Sequence, residues 1–205
     1  MLKALLNKNT GKQKELFKAL EKEKIKKPGR ADFKEEYEKI LNIYGESWID
    51  DWYQNQKQKQ EYYDLGKEIL KNFLTDFLNQ PPKIKYYNNQ PGLEQNFRLK
   101  VQDDIIIGKI DRVDELESGE TEIIDYKTGN SKEKISKEDK EQLLIYQLAL
   151  EEQFGDSPQK LSYYYLNDNK KVSFAPLQEE KEKFKNQILE KIKQIKTSSN
   201  NRFQR

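Results

Sequence analysis

The sequence predicts an α/β fold: a mixed β-sheet flanked by helices, with an N-terminal helical annex. Three observations predict it. As far as residue 92 the apolar residues recur at helical spacing within strongly charged stretches, whereas beyond it short apolar runs bounded by turns take over. Beyond that point the order reads as three strands, a helix, two strands and a helix, which calls for a sheet with helices packed on it. The chain's 205 residues suffice for one core and an annex, while 34% hydrophobic against 36% charged residues leaves much helical surface to solvent. The expected division is an annex over residues 1–92, a core over 93–196 and a disordered tail over 197–205.

Residues 1–26 read as helical, with Leu2, Leu5, Leu6, Leu16, Phe17 and Leu20 at rough helical spacing and a break near Thr10-Gly11. Gly11-Lys12 is no phosphate loop: that motif needs a glycine five positions earlier and Ser or Thr after the lysine, where Leu6 and Gln13 stand. Pro28-Gly29 closes the segment. A second helix is expected over 32–56, with an aromatic stripe including Tyr37, Tyr44, Trp48 and Trp52 that fits a core better than a base-stacking platform. A third is expected over 59–79, closed by Pro81-Pro82. Strands come next over 96–101, 105–114 and 122–128, the last two joined by a hairpin turn at Glu117-Ser118-Gly119. A helix over 136–154 stops before Gly155. Strands over 161–166 and 171–175 meet through a turn at 167–169, and a charged helix spans 178–196.

Composition narrows the chemistry. No apolar run approaches the roughly 20 residues of a membrane span, and Met1 opens no signal-peptide pattern, so a cytoplasmic protein without membrane contact is expected. The absence of cysteine excludes disulfides, thiol catalysis, a zinc site of the finger type and an iron–sulfur cluster, and the absence of histidine removes the commonest general base. Carboxylates, lysine, tyrosine and metal remain. The net charge of +2 is unevenly spread: residues 1–30 carry ten Lys or Arg against three Glu. Such an end either binds a polyanion or is a solvated helix face.

Residues 108–129 hold the organising puzzle. Ile105, Ile106, Ile107 and Ile110 in one run, and Ile123 with Ile124 in the next, read as strands buried on both faces, yet each run carries an aspartate. Alternation puts Asp125 and Lys127 on one face and Ile124 with Tyr126 on the other. A turn centred on Ser118 sets Asp111 directly across from Asp125, where Cβ atoms lie roughly 4.5–5.5 Å apart and like charges repel. Something cationic is needed there. Lys127 is the nearest candidate, and Mg²⁺ or Mn²⁺ held by both carboxylates is the sharper one. Lys127 can then orient or deprotonate a water, or donate to a developing oxyanion; its ordinary pKa of about 10.4 favours donation. Gln142 and Tyr146, at i and i+4, point from one helix face toward the same place. Taken singly, Asp111 with Arg112 or Asp125 with Lys127 reads as a surface ion pair, and Gln142 and Tyr146 as helix surface.

The segments GKIDRVD, EIIDYKTG and QLLIYQLA, in that order, resemble the nuclease core of the PD-(D/E)XK superfamily. The likeness is to its RecB-like branch, known from recombination helicase-nucleases and CRISPR adaptation nucleases, and covers residues 93–166. The resemblance implies a restriction-endonuclease-like fold and a Mg²⁺- or Mn²⁺-dependent deoxyribonuclease of repair or recombination. It would act on DNA single strands or ends, leave 5′-phosphates, and partner a helicase or another complex subunit. It also implies that Asp111 and Asp125 bind metal, that the Tyr126 carbonyl adds a ligand, and that Lys127 is the catalytic lysine. Gln142 and Tyr146 match the QxxxY pair that supports the site and contacts nucleic acid. Glu94 matches a position often acidic in such domains, or is a structural ion pair.

One departure stands out. RecB-like nucleases place a further metal ligand, a histidine, on an N-terminal helix in a pattern like GxxxH, and this chain has no histidine. Residues 1–5 resemble the stretch just after that histidine, which leaves a fragment, a truncated start or a lineage that lost the ligand; Glu68 is the candidate substitute. Two alternatives stand beside the enzyme: a catalytically inactive nuclease-like module that binds DNA or scaffolds a complex, and an RNA-binding helical protein working through its basic N-terminal arm.

Overall fold

The computed structural model describes residues 30–202, and the helix expected over 1–26 lies outside the described residues. Two helices come first, α1 (Arg30–Ser47) and α2 (Gln56–Asn79). The expectation of one helix over 32–56 is corrected. Trp48 N–H turns back onto the Gly45 carbonyl at 3.3 Å, and Trp52, at a φ of +82°, stands 84% exposed. A tryptophan in the left-handed region cannot extend a right-handed helix. α2 starts early because the Asn55 side chain accepts the Gln58 N–H at 2.9 Å and so caps it.

Aromatic rings join the two helices, Tyr44 stacking on Tyr63 at 5.1 Å and Trp48 meeting Tyr63 edge-on at 4.9 Å. Gly66 makes that closeness possible. A Cβ there would fall 2.0 Å from the Tyr44 hydroxyl, and that ring is buried and held by the Tyr63 stack. Gly66→Ala gains about 1 kcal/mol of helix propensity but incurs an overpacking cost of about 1–3 kcal/mol. Urea denaturation is expected to show a net loss.

The remaining elements form the sheet and its cover. A two-residue hairpin, β1 (Tyr86–Tyr87) and β2 (Gln90–Pro91), precedes it and was not foreseen. Then come β3 (Leu93–Val101), β4 (Asp104–Glu115), β5 (Thr121–Lys127), α3 (Lys137–Phe154), β6 (Lys160–Tyr165), β7 (Lys170–Phe174) and α4 (Gln178–Arg202). The last helix continues past residue 196, where the sequence pattern ended it. Sheet order matches chain order, β3-β4-β5-β6-β7, with β5 and β6 parallel and every other pair antiparallel. The α3 crossover is what allows that parallel pair.

Helices cover both faces. On one side Leu143, Leu150 and Ala149 of α3 and Phe184 and Ile188 of α4 pack on Phe97, Ile123, Leu161 and Tyr163. On the other, Ile40 of α1 and Ile69, Leu74 and Phe77 of α2 pack on Leu93, Ile124 and Tyr126. The fold is thus the mixed sheet flanked by helices that the sequence predicts.

β5 is buried from Thr121 to Tyr126, as its apolar run requires, but β4 departs from expectation. Ile105 is 51% and Ile107 71% exposed, so the first half of β4 is covered on one face only. The run of isoleucines records β-propensity there rather than burial on both sides.

Candidate active site

The hairpin joining β4 and β5 turns as expected. Gly119, at a φ of +83°, donates its N–H to the Leu116 carbonyl at 2.9 Å, and the strands pair Arg112 with Ile124 and Val113 with Ile123. Continued by one residue, that register sets Asp111 opposite Asp125. The regular ladder ends there, and Asp111 Oδ2 instead accepts the main-chain N–H of Tyr126 at 2.9 Å. On the other side of β4 the pairing with β3 skips the same level. It runs Leu93 with Arg112 and then Gln95 with Ile110, leaving Glu94, at a φ of +50°, facing Asp111 without ladder bonds. This irregularity changes the phase of both strands. Leu93 packs toward α2 whereas Phe97 packs toward α3, and Ile110 and Val113, three residues apart, share the α3 side. Such interruptions re-aim side chains at sheet positions that serve a site.

Asp125 is fully buried, and its carboxylate is the hub of the cluster. Lys127 Nζ lies 3.0 Å from Asp125 Oδ2, and Lys127 donates to Gln142 Oε1 at 2.9 Å. Gln142 Nε2 donates to the Tyr146 hydroxyl at 2.7 Å and approaches Asp125 Oδ1 at 3.4 Å, the distance from which the Tyr146 hydroxyl also donates to Asp125. The structure therefore brings Asp125, Lys127, Gln142 and Tyr146 into one network. Burial, and then the negative Asp125, raise the Tyr146 hydroxyl pKa, so it remains a donor throughout the physiological range.

Local sequence explains why these side chains converge. Ser136 caps α3 by accepting the Asp139 N–H at 3.1 Å, and Gly155 ends it at a φ of +65°, so the helix spans the sheet with Gln142 and Tyr146 above Asp125. Gly108 contributes by lacking a side chain. A Cβ there would fall 2.6 Å from the Phe97 ring, which lies across the strand and meets Tyr146 edge-on at 5.6 Å. Tyr126 turns its side chain to the opposite layer, where its hydroxyl accepts from Arg112 Nη1 at 2.6 Å, so only its main chain can serve the Asp111 side.

Sequence reasoning missed Tyr163. Parallel pairing sets it beside Asp125, its ring lies 4.5 Å under Lys127 Nζ, and its hydroxyl donates to the Asp139 carbonyl at 2.6 Å. The same hydroxyl lies 3.2 Å from Gln142 Oε1. Tyr163 thus supports both members of the Lys127–Gln142 pair. Tyr163→Phe keeps the ring beneath the ammonium and removes the hydroxyl, so urea denaturation should show a loss of about 0.5–1.5 kcal/mol, typical of a hydrogen bond. Tyr163→Leu removes the ring as well and is expected to cost more.

Other candidates separate from the site. Glu94 is buried with Lys109 Nζ 3.2 Å from its Oε2, an ion pair lacking hydrogen-bond geometry, which favours its structural reading. Glu68 is exposed on α2. Among the described residues no three carboxylates converge on a common point, so neither Glu68 nor Glu94 completes a ligand set there. The hard oxygen donors of Asp111 and Asp125 still suit Mg²⁺ or Mn²⁺, which are commonly held by one or two carboxylates with water and phosphate oxygens completing the shell.

Comparison with known proteins places the chain in a family. No curated protein matches the sequence. A solved structure titled "Crystal structure of SSO0001" is similar at 16% identity, covering 76% of this chain and 82% of that one with a TM-score of 0.37. The model of the PD-(D/E)XK nuclease superfamily, whose members are generally hydrolytic nucleases that use divalent metals, matches residues 5–204. With nearly its whole length matched, the chain belongs to the PD-(D/E)XK nuclease superfamily.

Proposed function

We propose that the protein is a Mg²⁺- or Mn²⁺-dependent deoxyribonuclease of the RecB-like type, hydrolysing phosphodiester bonds at DNA single strands or ends. The observation that carries this reading is the network of Lys127, Gln142 and Tyr146 on the buried Asp125, one strand from Asp111. In this reading Asp111, Asp125 and the Tyr126 carbonyl hold the metal. When bound, it acidifies a water and neutralises charge on the scissile phosphate.

The chain's own groups do the rest. Lys127 donates to Gln142 and is ion-paired with Asp125. Its ammonium, with three N–H donors, can also orient the attacking water or donate to the phosphoryl oxygen that gains charge. Gln142 and Tyr146 keep Asp125 and Lys127 in register and offer hydrogen bonds to phosphate. Residues 1–92 act as an annex to the 93–196 core, and any coupling to unwinding comes from another chain or from a part outside this sequence.

The second reading, a nuclease-like module that binds DNA without cutting it, is favoured by the lack of a third convergent carboxylate among the described residues. End-labelled single-stranded and duplex DNA, incubated with Mg²⁺ or Mn²⁺ and in parallel with EDTA, separates the two. Cleavage that EDTA abolishes is expected. Intact DNA with retained salt-sensitive binding supports the module instead.

A further inference from the structure

β4 is paired with both neighbouring strands only at Arg112. It pairs with β5 from Arg112 to Glu115 and with β3 from Asp104 to Arg112, so residues 104–111 and β3 form a two-stranded arm. The arm extends past the C-terminal end of β5, where Asp125 and Lys127 lie. One of its faces is covered: Phe97, Leu99, Val101 and Ile106 pack toward α3 and α4.

The other face is open, and its composition is specific. Cross-strand pairs set Asn96 beside Lys109, Arg98 beside Ile107 and Lys100 beside Ile105. Ile107 is 71% and Ile105 51% exposed, and Arg98 and Lys100 are exposed as well. Of β3 and β4, the cluster beneath α1 and α2 takes in only Leu93, so those helices leave the arm bare. None of these six positions is acidic. Among described residues Arg98 and Lys100 enter no ion pair, while Asp104 near the tip is engaged by Lys196 at 2.6 Å.

We infer that this open face, on the α1 and α2 side of the sheet, is a docking surface for a DNA strand that rounds the edge of β4 left unpaired by β5 to reach Asp111, with Arg98 and Lys100 on phosphates and Ile105 and Ile107 against sugars and base edges. The inference rests on the nuclease reading above. Four residue steps separate Ile107 from Asp111, about 13 Å of strand, a distance that a few nucleotides of a single strand can span. Charge decides between occupants. A second copy docked about a twofold axis on this patch sets the Arg98 and Lys100 ridge against itself, and like charges across an interface are costly. A phosphodiester chain instead offers a negative charge at each step, and the isoleucines suit its apolar sugar faces.

The test is fluorescence anisotropy with a labelled single-stranded 20-mer in EDTA over a range of salt, run on wild type, Arg98→Gln with Lys100→Gln, and Ile107→Ser. Circular dichroism and sedimentation accompany each protein. The double variant is expected to bind about tenfold more weakly, with a log K against log salt slope shallower by about 1.4, two phosphate contacts at 0.7 each. Ile107→Ser is expected to bind more weakly with its slope unchanged. If wild type cleaves DNA yet the folded variants bind with unaltered affinity and slope, the arm is not the docking surface and the nuclease reading stands. If wild type neither binds nor cleaves DNA, both fall. A change in sedimentation on Ile107→Ser with DNA affinity unchanged assigns the face to a second copy and overturns the inference.

Discussion

Lys127→Ala is expected to lower the rate of DNA cleavage by about 10²–10⁴-fold, the range for removing a positioned proton donor or an oxyanion donor. The lysine is only 22% exposed at its side chain, and its ammonium is fixed on three sides, by Asp125, by Gln142 and by the Tyr163 ring. Such fixation is what makes a donor effective, because no reorganisation is needed as charge develops. The substitution also strips the fully buried Asp125 of its cation, so some stability is lost along with activity. Two controls separate these effects. A thermal melt shows whether the variant is folded at the assay temperature, and Lys127→Arg keeps the charge but alters the donor geometry. A folded Lys127→Ala protein that cleaves at the wild-type rate assigns the cleavage to a contaminant.

The second large effect is expected on the opposite face of the same strands. Arg112 is 6% exposed; its Nη2 donates to Asp114 Oδ2 at 2.8 Å and its Nη1 to the Tyr126 hydroxyl at 2.6 Å. Arg112 Nε and Asp114 Oδ1 have no hydrogen-bond partner among the described residues, so the pair is only partly satisfied. Arg112→Ala leaves Asp114 buried without its cation and is expected to destabilise by about 3–5 kcal/mol. Replacing both partners by apolar residues, Arg112→Met with Asp114→Leu, should recover most of that loss.

Acidity supplies a further signature. Burial already raises the Asp114 carboxyl above its ordinary range despite the counteracting Arg112, and loss of Arg112 raises it more. Between the unfolded and the raised folded pKa the native state binds more protons, so stability falls as pH rises through that window. The deficit of Arg112→Ala relative to wild type is therefore largest above the folded pKa and shrinks as the pH is lowered toward the ordinary aspartate range. Denaturant unfolding at two pH values reads this directly, and a deficit independent of pH contradicts the assignment.

Much of the architecture was legible in local pattern. The Glu117-Ser118-Gly119 turn set the register of β4 and β5, and i, i+4 spacing set Gln142 and Tyr146 on one face of α3; both arise from fixed periodicities. What escaped depends on contacts distant in sequence. Tyr163, Tyr164 and Tyr165 are chemically identical in the chain, and only the parallel pairing of β6 with β5, made across an 18-residue helix, selects Tyr163 as the neighbour of Asp125. The exposure of Ile105 and Ile107 was hidden because an apolar run does not reveal that a helix covers one side only. The interruption at Glu94 and Asp111 was invisible for a related reason, since neither residue is a glycine or proline that announces a change of strand phase.

The proposed metal site is tested most directly by calorimetric titration of Mn²⁺ into wild type and Asp125→Asn, without DNA. Wild type is expected to take up Mn²⁺ saturably and Asp125→Asn, once shown by its melt to be folded, to take up none. Equal uptake by the two proteins, or none by wild type, contradicts a metal site on Asp111 and Asp125.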